Sequence, residues 1–212
     1  MDKTKGVNMK SFLQYISESK GTLHSFDVDE TLFKTHAKVH VIHKGKRVQS
    51  LSNAEYNTHK LKPEHHYDYS EFKDADKFHD ESEPIHKMLN KVKAIHRNIK
   101  NSPHHKIIIN TARSDMDNKK TYLHKFKKHG VPIHDIHVNR AGNIPGNASV
   151  AAKKAAVISQ HVARHGYKKV HVYDDSTENL DHVLALKHKH PGTEFHAWHV
   201  QPDGSVKKYK GQ

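Results

Sequence analysis

Two carboxylates two residues apart, Asp27 and Asp29, close a short apolar run in "HSFDVDETLFKTH" (residues 24–36), and Thr31 follows at once. Aspartate is poor in strands, so these acids either punctuate a turn or are delivered to one place. Side chains two apart in an extended segment point to the same side unless a turn intervenes. Crowded carboxylates repel each other and are stable together only with a cation or a shared proton. More reactive groups sit near later strand-like runs: Thr111 and Arg113 after "KIIIN", Lys153 and Lys154 early in a helical stretch, Asp174 and Asp175 after "KKVHVY". Magnesium, a hard cation that takes oxygen ligands and keeps waters, suits Asp27, Asp175 and a backbone carbonyl. A hydroxyl from Thr111 and an ammonium from Lys154 suit a phosphoryl group, one donating a hydrogen bond and the other neutralising charge. Taken singly, acids after strands are turn residues and "DDS" is a helix cap; their order along the chain is what joins them.

The elements that must position these groups read as alternating strands and helices. Five short runs rich in β-branched and aromatic residues are expected as buried strands: 22–26, 106–110, 135–138, 168–173 and 194–200. Helical stretches separate the last four. "SDMDNKKTYLHKFKKHG" is expected to open on a Ser or Asp cap and close at Gly130, "SVAAKKAAVISQHVARHG" to close at Gly166, and "STENLDHVLALKHKHPG" at Pro191 and Gly192. This order predicts an α/β fold with a mainly parallel five-stranded sheet and helices on its faces, and sites in such sheets lie beyond the carboxyl ends of the strands. Residues 33–105 are too many for one crossover helix, so 36–83 is expected as a small insertion. Within it "AKVHVIHKGKRVQSL" forms a hairpin, and "EPIHKMLNKVKAIHRNIK" supplies the crossover helix over 84–100, with Ile85, Met88, Leu89, Val92 and Ile95 at helical spacing. Tyr56, Tyr67, Tyr69 and Phe72 of the insertion either stack on a base or form its small core.

With these pieces in order, the chain resembles the haloacid dehalogenase superfamily of phosphotransferases. "FDVDET" is similar to its first motif, "IIINTAR" to its second, the lysine of "AAKKAAVI" to its third and "VHVYDDS" to its fourth, spanning residues 22–200. The resemblance implies a Rossmann-like three-layer α/β/α domain over 1–212, with 36–83 as a cap. It implies that Asp27 is the nucleophile that forms an aspartyl-phosphate, and that Asp29 protonates the leaving oxygen and then activates water. An aspartate at this second place resembles the phosphatase branch. Thr31 would steady the loop, Thr111 would hold the phosphoryl oxygen, and Arg113 could contact a second phosphate or serve as a cap or surface residue. Asp175, Asp27 and the Asp29 carbonyl would bind magnesium, with Asp174 in support. Of the adjacent lysines, Lys154 is preferred for the site because it precedes Ile158 by four residues, as in the family's helix spacing. "AEYNTHKLKPEHHYDYSEFKDADKF", "NTARSD" and "VQPDGS" resemble small phosphatase-like proteins of large tailed phages, some RNA-repair-like, and distantly the phosphatase half of phage polynucleotide kinase-phosphatases.

Composition bounds the alternatives. Across 212 residues, Lys and Arg (36) exceed Asp and Glu (23) by 13, which favours anionic partners such as nucleotides, nucleic-acid ends or other phosphorylated substrates. The absence of cysteine excludes disulfide scaffolds, thiol nucleophiles and thiolate zinc sites. Mean hydropathy is −0.91, yet the apolar residues are clustered, as a folded chain requires. No run approaches the ~18 apolar residues of a membrane span, and "MDKTKGVNMK" is not followed by the apolar core of a signal peptide, so a cytoplasmic location and no membrane partner are expected. Met9 is an alternative start to Met1. The 24 histidines have no HExxH spacing and read as a surface composition bias. Three functions stay open: a phosphomonoesterase acting on a nucleotide or nucleic-acid end, a phosphatase of sugars or other small molecules, and a nucleic-acid-binding module of this fold without turnover.

Overall fold

The computed structural model describes residues 21–210; the question of Met1 against Met9 lies outside them. The main sheet comprises β1 (Thr22–Phe26), β7 (Lys106–Thr111), β8 (His137–Arg140), β9 (Lys169–Asp174), β10 (Glu194–Val200) and β11 (Val206–Lys208). Its order is β11-β10-β9-β1-β7-β8, with every pair parallel except β10 and β11. The sheet thus has six strands rather than the five expected. The extra strand is the return arm of a hairpin through Gly204, whose φ of +75° suits glycine. From β1 the chain adds β7 and β8 on one side and then crosses to place β9 and β10 on the other, so the order reverses between β1 and β9. Crevices at such reversals are the usual ligand sites of open α/β sheets.

Side chains alternate across this sheet as the strand period requires. Leu23, Ile108, Val170, Val172 and Phe195 face one side, under α5 (Val150–His165) and α6 (Thr177–Ala185). Phe26, Ile107, Ile109 and Tyr173 face the other, under α2 (Ala75–Glu81), α3 (His86–Ile99) and α4 (Lys119–Lys128). The result is three layers, α/β/α. Phe26 and Tyr173 stack across β1 and β9 at 4.5 Å, and α3 buries Met88, Leu89 and Val92 against this layer, the stripe that the spacing predicts. The Ser149 hydroxyl caps α5, and Gly166 ends it at φ +66°.

Three boundaries move. Helix α6 ends at Ala185, where the chain tightens into a 3-10 turn over Leu186–His188, instead of running to Pro191 and Gly192. The third strand begins at His137 rather than Asp135, because the Asp135 and Ile136 amides donate to Pro132 and Ile133 in a turn. Helix α4 begins at Lys119, not near Ser114: Asp117 is drawn across to α2, its amide donating to Lys73 and its carboxylate accepting from Ala75, and Asn118 becomes the cap.

A second sheet lies between β2 (Phe33–Lys34) and its antiparallel partner β6 (Glu83–Pro84). It contains β3 (Val39–His43), β4 (Lys46–Leu51) and β5 (His65–Asp68), ordered β4-β3-β5 and antiparallel. The β3–β4 hairpin was expected; β5 was not, its sequence "HHYD" having no apolar alternation. A short helix α1 (Asn53–Thr58) opens with a capping box of Ser52 and Glu55. Val39, Val41 and Leu51 form a small core under Tyr56, Tyr67 and Phe72. Ala75 and Phe78 pack into the main core instead, so the stretch 36–83 divides before α2. Among the described residues no helix is long and apolar enough to cross a membrane.

The histidines are not simply a surface bias. His40 is buried, and His24, His171 and His196 stack side by side across β1, β9 and β10 at 5.1 and 4.7 Å.

Candidate active site

Asp27 follows the last residue of β1, and its amide donates to the Tyr173 carbonyl, extending the β1–β9 ladder by one step. The chain then coils tightly: the amides of Thr31, Leu32 and Phe33 all donate to the Val28 carbonyl, and Glu30 adopts φ +56°. This turn separates the two acids that spacing alone would place side by side. Asp27 points inward to Lys154, with Oδ1 2.8 Å from Nζ, whereas Asp29 faces Arg113.

Asp174 is the last residue of β9, and Asp175 follows it at the order reversal. Carboxylate oxygens of Asp27, Asp174 and Asp175 lie within 4.8 Å of one another. Lys154, one turn into α5 and buried, donates to Asp174 Oδ2 at 2.6 Å as well as meeting Asp27. Its neighbour Lys153 is rotated to the half-exposed rim of the cavity, so Lys154 is the lysine at the acids. Three carboxylates and one ammonium leave an excess of two negative charges when all are ionised. Burial is the main reason that Asp27 is pushed up to about 7, with Asp174 and Asp29 adding to the rise and Lys154 opposing it. Burial likewise pushes Asp175 up to about 8, reinforced by Asp174 and Asp27. Burial would drive the Lys154 ammonium down, but Asp174 and Asp27 together hold it above the ordinary lysine range. An all-oxygen donor set whose acids resist ionising for want of positive charge fits a hard divalent cation such as magnesium.

The remaining expected residues fall into two groups. Thr111 ends β7, fully buried, and its hydroxyl accepts from the Arg113 amide at 3.2 Å. Thr31, expected to steady the loop, is fully buried with its hydroxyl donating to Asp175 at 3.3 Å, so it ties the loop to an acid. Arg113, expected either as a contact to a second phosphate or as a cap or surface residue, is only 3 % exposed. Its Nε and Nη2 donate to both Asp29 oxygens at 2.7–3.2 Å, Nη2 also to Thr35 Oγ1 at 3.1 Å and Nη1 to the Phe72 carbonyl at 2.9 Å. The guanidinium is therefore a clamp joining the first loop to the small sheet, not a free anion contact. Asp174, expected as a supporting ligand, is already held by protein donors: Oδ1 accepts from the Ser176 amide and Asn179 Nδ2.

Three contributors escaped the sequence reading. Asn179 stands three residues after the Ser176 cap, a position that could have marked it as a local hydrogen-bonding partner. Asn110 donates from Nδ2 to the Lys154 carbonyl at 3.0 Å, pinning α5 to β7. Gly142 lies against the loop after β7 so closely that a Cβ there would stand 2.4 Å from the Ala112 carbonyl oxygen. Nothing local marks either of the last two. Above the acids a cavity of about 1170 Å³ opens between the strand ends and the small sheet, with Asp27, Lys154 and Asp175 on one side and Tyr67 and Tyr69 on the other. Comparison with known proteins finds no family model that matches this chain and no curated protein that matches it.

Proposed function

We propose that the chain is a magnesium-dependent phosphomonoester hydrolase of haloacid dehalogenase type, working through an aspartyl-phosphate on Asp27. The observation that carries this reading is the buried Lys154 ammonium bridging Asp27 and Asp174, with Asp175 beside them at the reversal of strand order. The four motifs that resemble the superfamily contain these residues: Asp27 just after β1, Thr111 at the end of β7, Lys154 within α5, and Asp174 and Asp175 at the end of β9.

In the reaction, an Asp27 carboxylate oxygen attacks phosphorus and the bond to the ester oxygen breaks, with Asp29 giving that oxygen a proton. Asp29 as a carboxylate then takes a proton from water, whose oxygen attacks phosphorus; the bond to Asp27 breaks and phosphate leaves. Lys154 holds Asp27 in place, and the Thr111 hydroxyl, an acceptor towards Arg113, keeps its own proton for a phosphoryl oxygen. The Arg113 clamp fixes the position of the Asp29 side chain through both of its oxygens. Asp27, Asp175 and Asp174 would hold magnesium, which when bound supplies the positive charge that keeps the acids ionised and offsets charge on the transferring group.

The test is phosphate release from 3'- and 5'-phosphorylated oligonucleotides, mononucleotides and sugar phosphates, with magnesium or chelator. Release that needs magnesium and is abolished in a folded Asp27→Asn variant is the expected outcome; activity retained in that variant would sink the covalent mechanism. Salt-sensitive oligonucleotide binding indifferent to magnesium and to Asp27→Asn, without any release, would support the non-catalytic module instead.

A further inference from the structure

Four aromatic residues of the insertion, Tyr56, Tyr67, Tyr69 and Phe72, do not share one role. Tyr56, Tyr67 and Phe72 pack over the small core of Val39, Val41 and Leu51. All four line the cavity above the acids, but Tyr69 alone among them is exposed, at 42 %, and stands outside that small core. Its ring is nevertheless fixed from behind. The Tyr69 and Tyr56 hydroxyls share a hydrogen bond of 2.8 Å, Tyr56 meets the ring at 5.8 Å and 87°, and Tyr67 lies against it at 5.9 Å. Three residues on, the Phe72 carbonyl is held by Arg113, which ties this segment to Asp29. From the α5 side Val150, 43 % exposed, lines the same cavity. Four large hydrophobic residues are exposed among the described residues, and two of them face this one space.

Single exposed apolar residues are ordinary, but an immobilised aromatic ring and an apolar partner above a floor built for phosphate define a ligand with two unlike ends. One end is anionic and the other is flat and apolar. We infer that Tyr69 is the stacking platform for the nucleobase of a nucleoside phosphate whose phosphate lies at Asp27. This rests on the hydrolase reading and narrows its substrate: a sugar phosphate has nothing to place on the ring. Free nucleotides and the last nucleotide of a strand present the same chemistry. The cavity of about 1170 Å³ exceeds the ~300–1,000 Å³ common for small-molecule sites, leaving room for more than a mononucleotide.

The experiment compares kcat/KM for nucleoside monophosphates, phosphorylated oligonucleotides and the base-free ribose 5-phosphate in wild type, Tyr69→Ala and Tyr69→Phe. In parallel, calorimetry measures binding of the same compounds to Asp27→Asn protein with and without Tyr69→Ala. Tyr69→Ala should reduce the preference for nucleotide over ribose 5-phosphate by roughly 5- to 150-fold, the range of base–aromatic stacking. Tyr69→Phe loses the same hydroxyl bond to Tyr56 but keeps the ring, and should retain most of the preference. An unchanged ratio in Tyr69→Ala, or no preference in wild type, overturns the inference while leaving the hydrolase intact. If no compound releases phosphate the hydrolase reading fails, and the binding series decides Tyr69: selective loss of nucleotide binding upholds it, equal binding overturns it. Preference for oligonucleotides over mononucleotides identifies the strand end as the source.

Discussion

Replacing Arg113 by Met removes a buried cation while keeping much of its volume. The guanidinium holds both oxygens of Asp29, whose side chain is 15 % exposed, together with Thr35 and the Phe72 carbonyl. It also lies 4.9 and 4.7 Å from the ring centroids of Phe72 and Phe78. Leaving one member of a buried ion pair unpaired costs about 3–5 kcal/mol. The orphaned carbonyl would add ~1–3 kcal/mol and the lost ring contacts ~0.5–2 kcal/mol, but these share one side chain and do not simply add. We expect a net loss of about 3–5 kcal/mol, read in urea at pH 7.5 as a lower midpoint at unchanged slope. At ~2–4 °C per kcal/mol for a chain of this size, the thermal midpoint falls by roughly 6–20 °C. Asp29→Asn in the Arg113→Met background should cost much less than the two changes made separately, because the stranded charge is gone. Arg113→Lys should recover little, since one ammonium cannot reproduce the two-pronged contact and also reach the Phe72 carbonyl. A loss below about 1 kcal/mol, the range of exposed ion pairs, together with a raised KM would refute the clamp and return Arg113 to the role of a phosphate contact.

Lys154→Met leaves Asp27, Asp174 and Asp175 without their internal cation. Because Asp27 and Asp175 are raised above their unfolded values, the folded state binds more protons than the unfolded state between about pH 4 and 8. The variant should therefore be weakest at pH 8.5 in chelator and regain stability at pH 6 or in millimolar magnesium; thermal midpoints equal in all three conditions would contradict this. His24 and His171 carry the opposite sign: burial first, and neighbouring histidines second, lower both to about 4. His171 Nδ1 accepts from the Trp198 indole at 3.1 Å and is thus unprotonated. Their stabilising effect is complete above pH ~6.5 and lost as pH falls towards 4. The stability difference between wild type and a His24→Gln, His171→Gln variant should shift against wild type across that window, and a pH-independent difference would exclude it. Gly142→Ala pushes a methyl group into the backbone after Thr111 and should cost about 1–3 kcal/mol, read by urea unfolding; an unchanged midpoint would show that the loop yields freely.

What the sequence by itself determined is local and periodic. Runs such as "KIIIN" and "KKVHVY" mark strands because β-branched residues gather where the backbone is extended and buried, and Ser149 and Gly166 bound α5 because a capping hydroxyl and a left-handed end are properties of a few consecutive residues. Asp27, Thr111 and Asp175 could be named because parallel strands bring their carboxyl ends together whatever fills the core, whereas Lys154, inside α5, was preferred to Lys153 on the resemblance to the family's helix spacing. The tertiary structure alone decided which of these groups touch. Thr31 reaches Asp175 across 144 positions and Arg113 reaches Asp29 across 84, pairings set by chain crossings rather than by spacing. The same distance dependence explains β5 and β11, short polar strands whose only mark is the neighbour they pair with, and α4, whose start is set by the contact of Asp117 with α2. Tyr67 and Tyr69, two positions apart in the chain, both line the cavity above the acids, yet only packing sets Tyr67 against the small core and leaves the Tyr69 ring exposed.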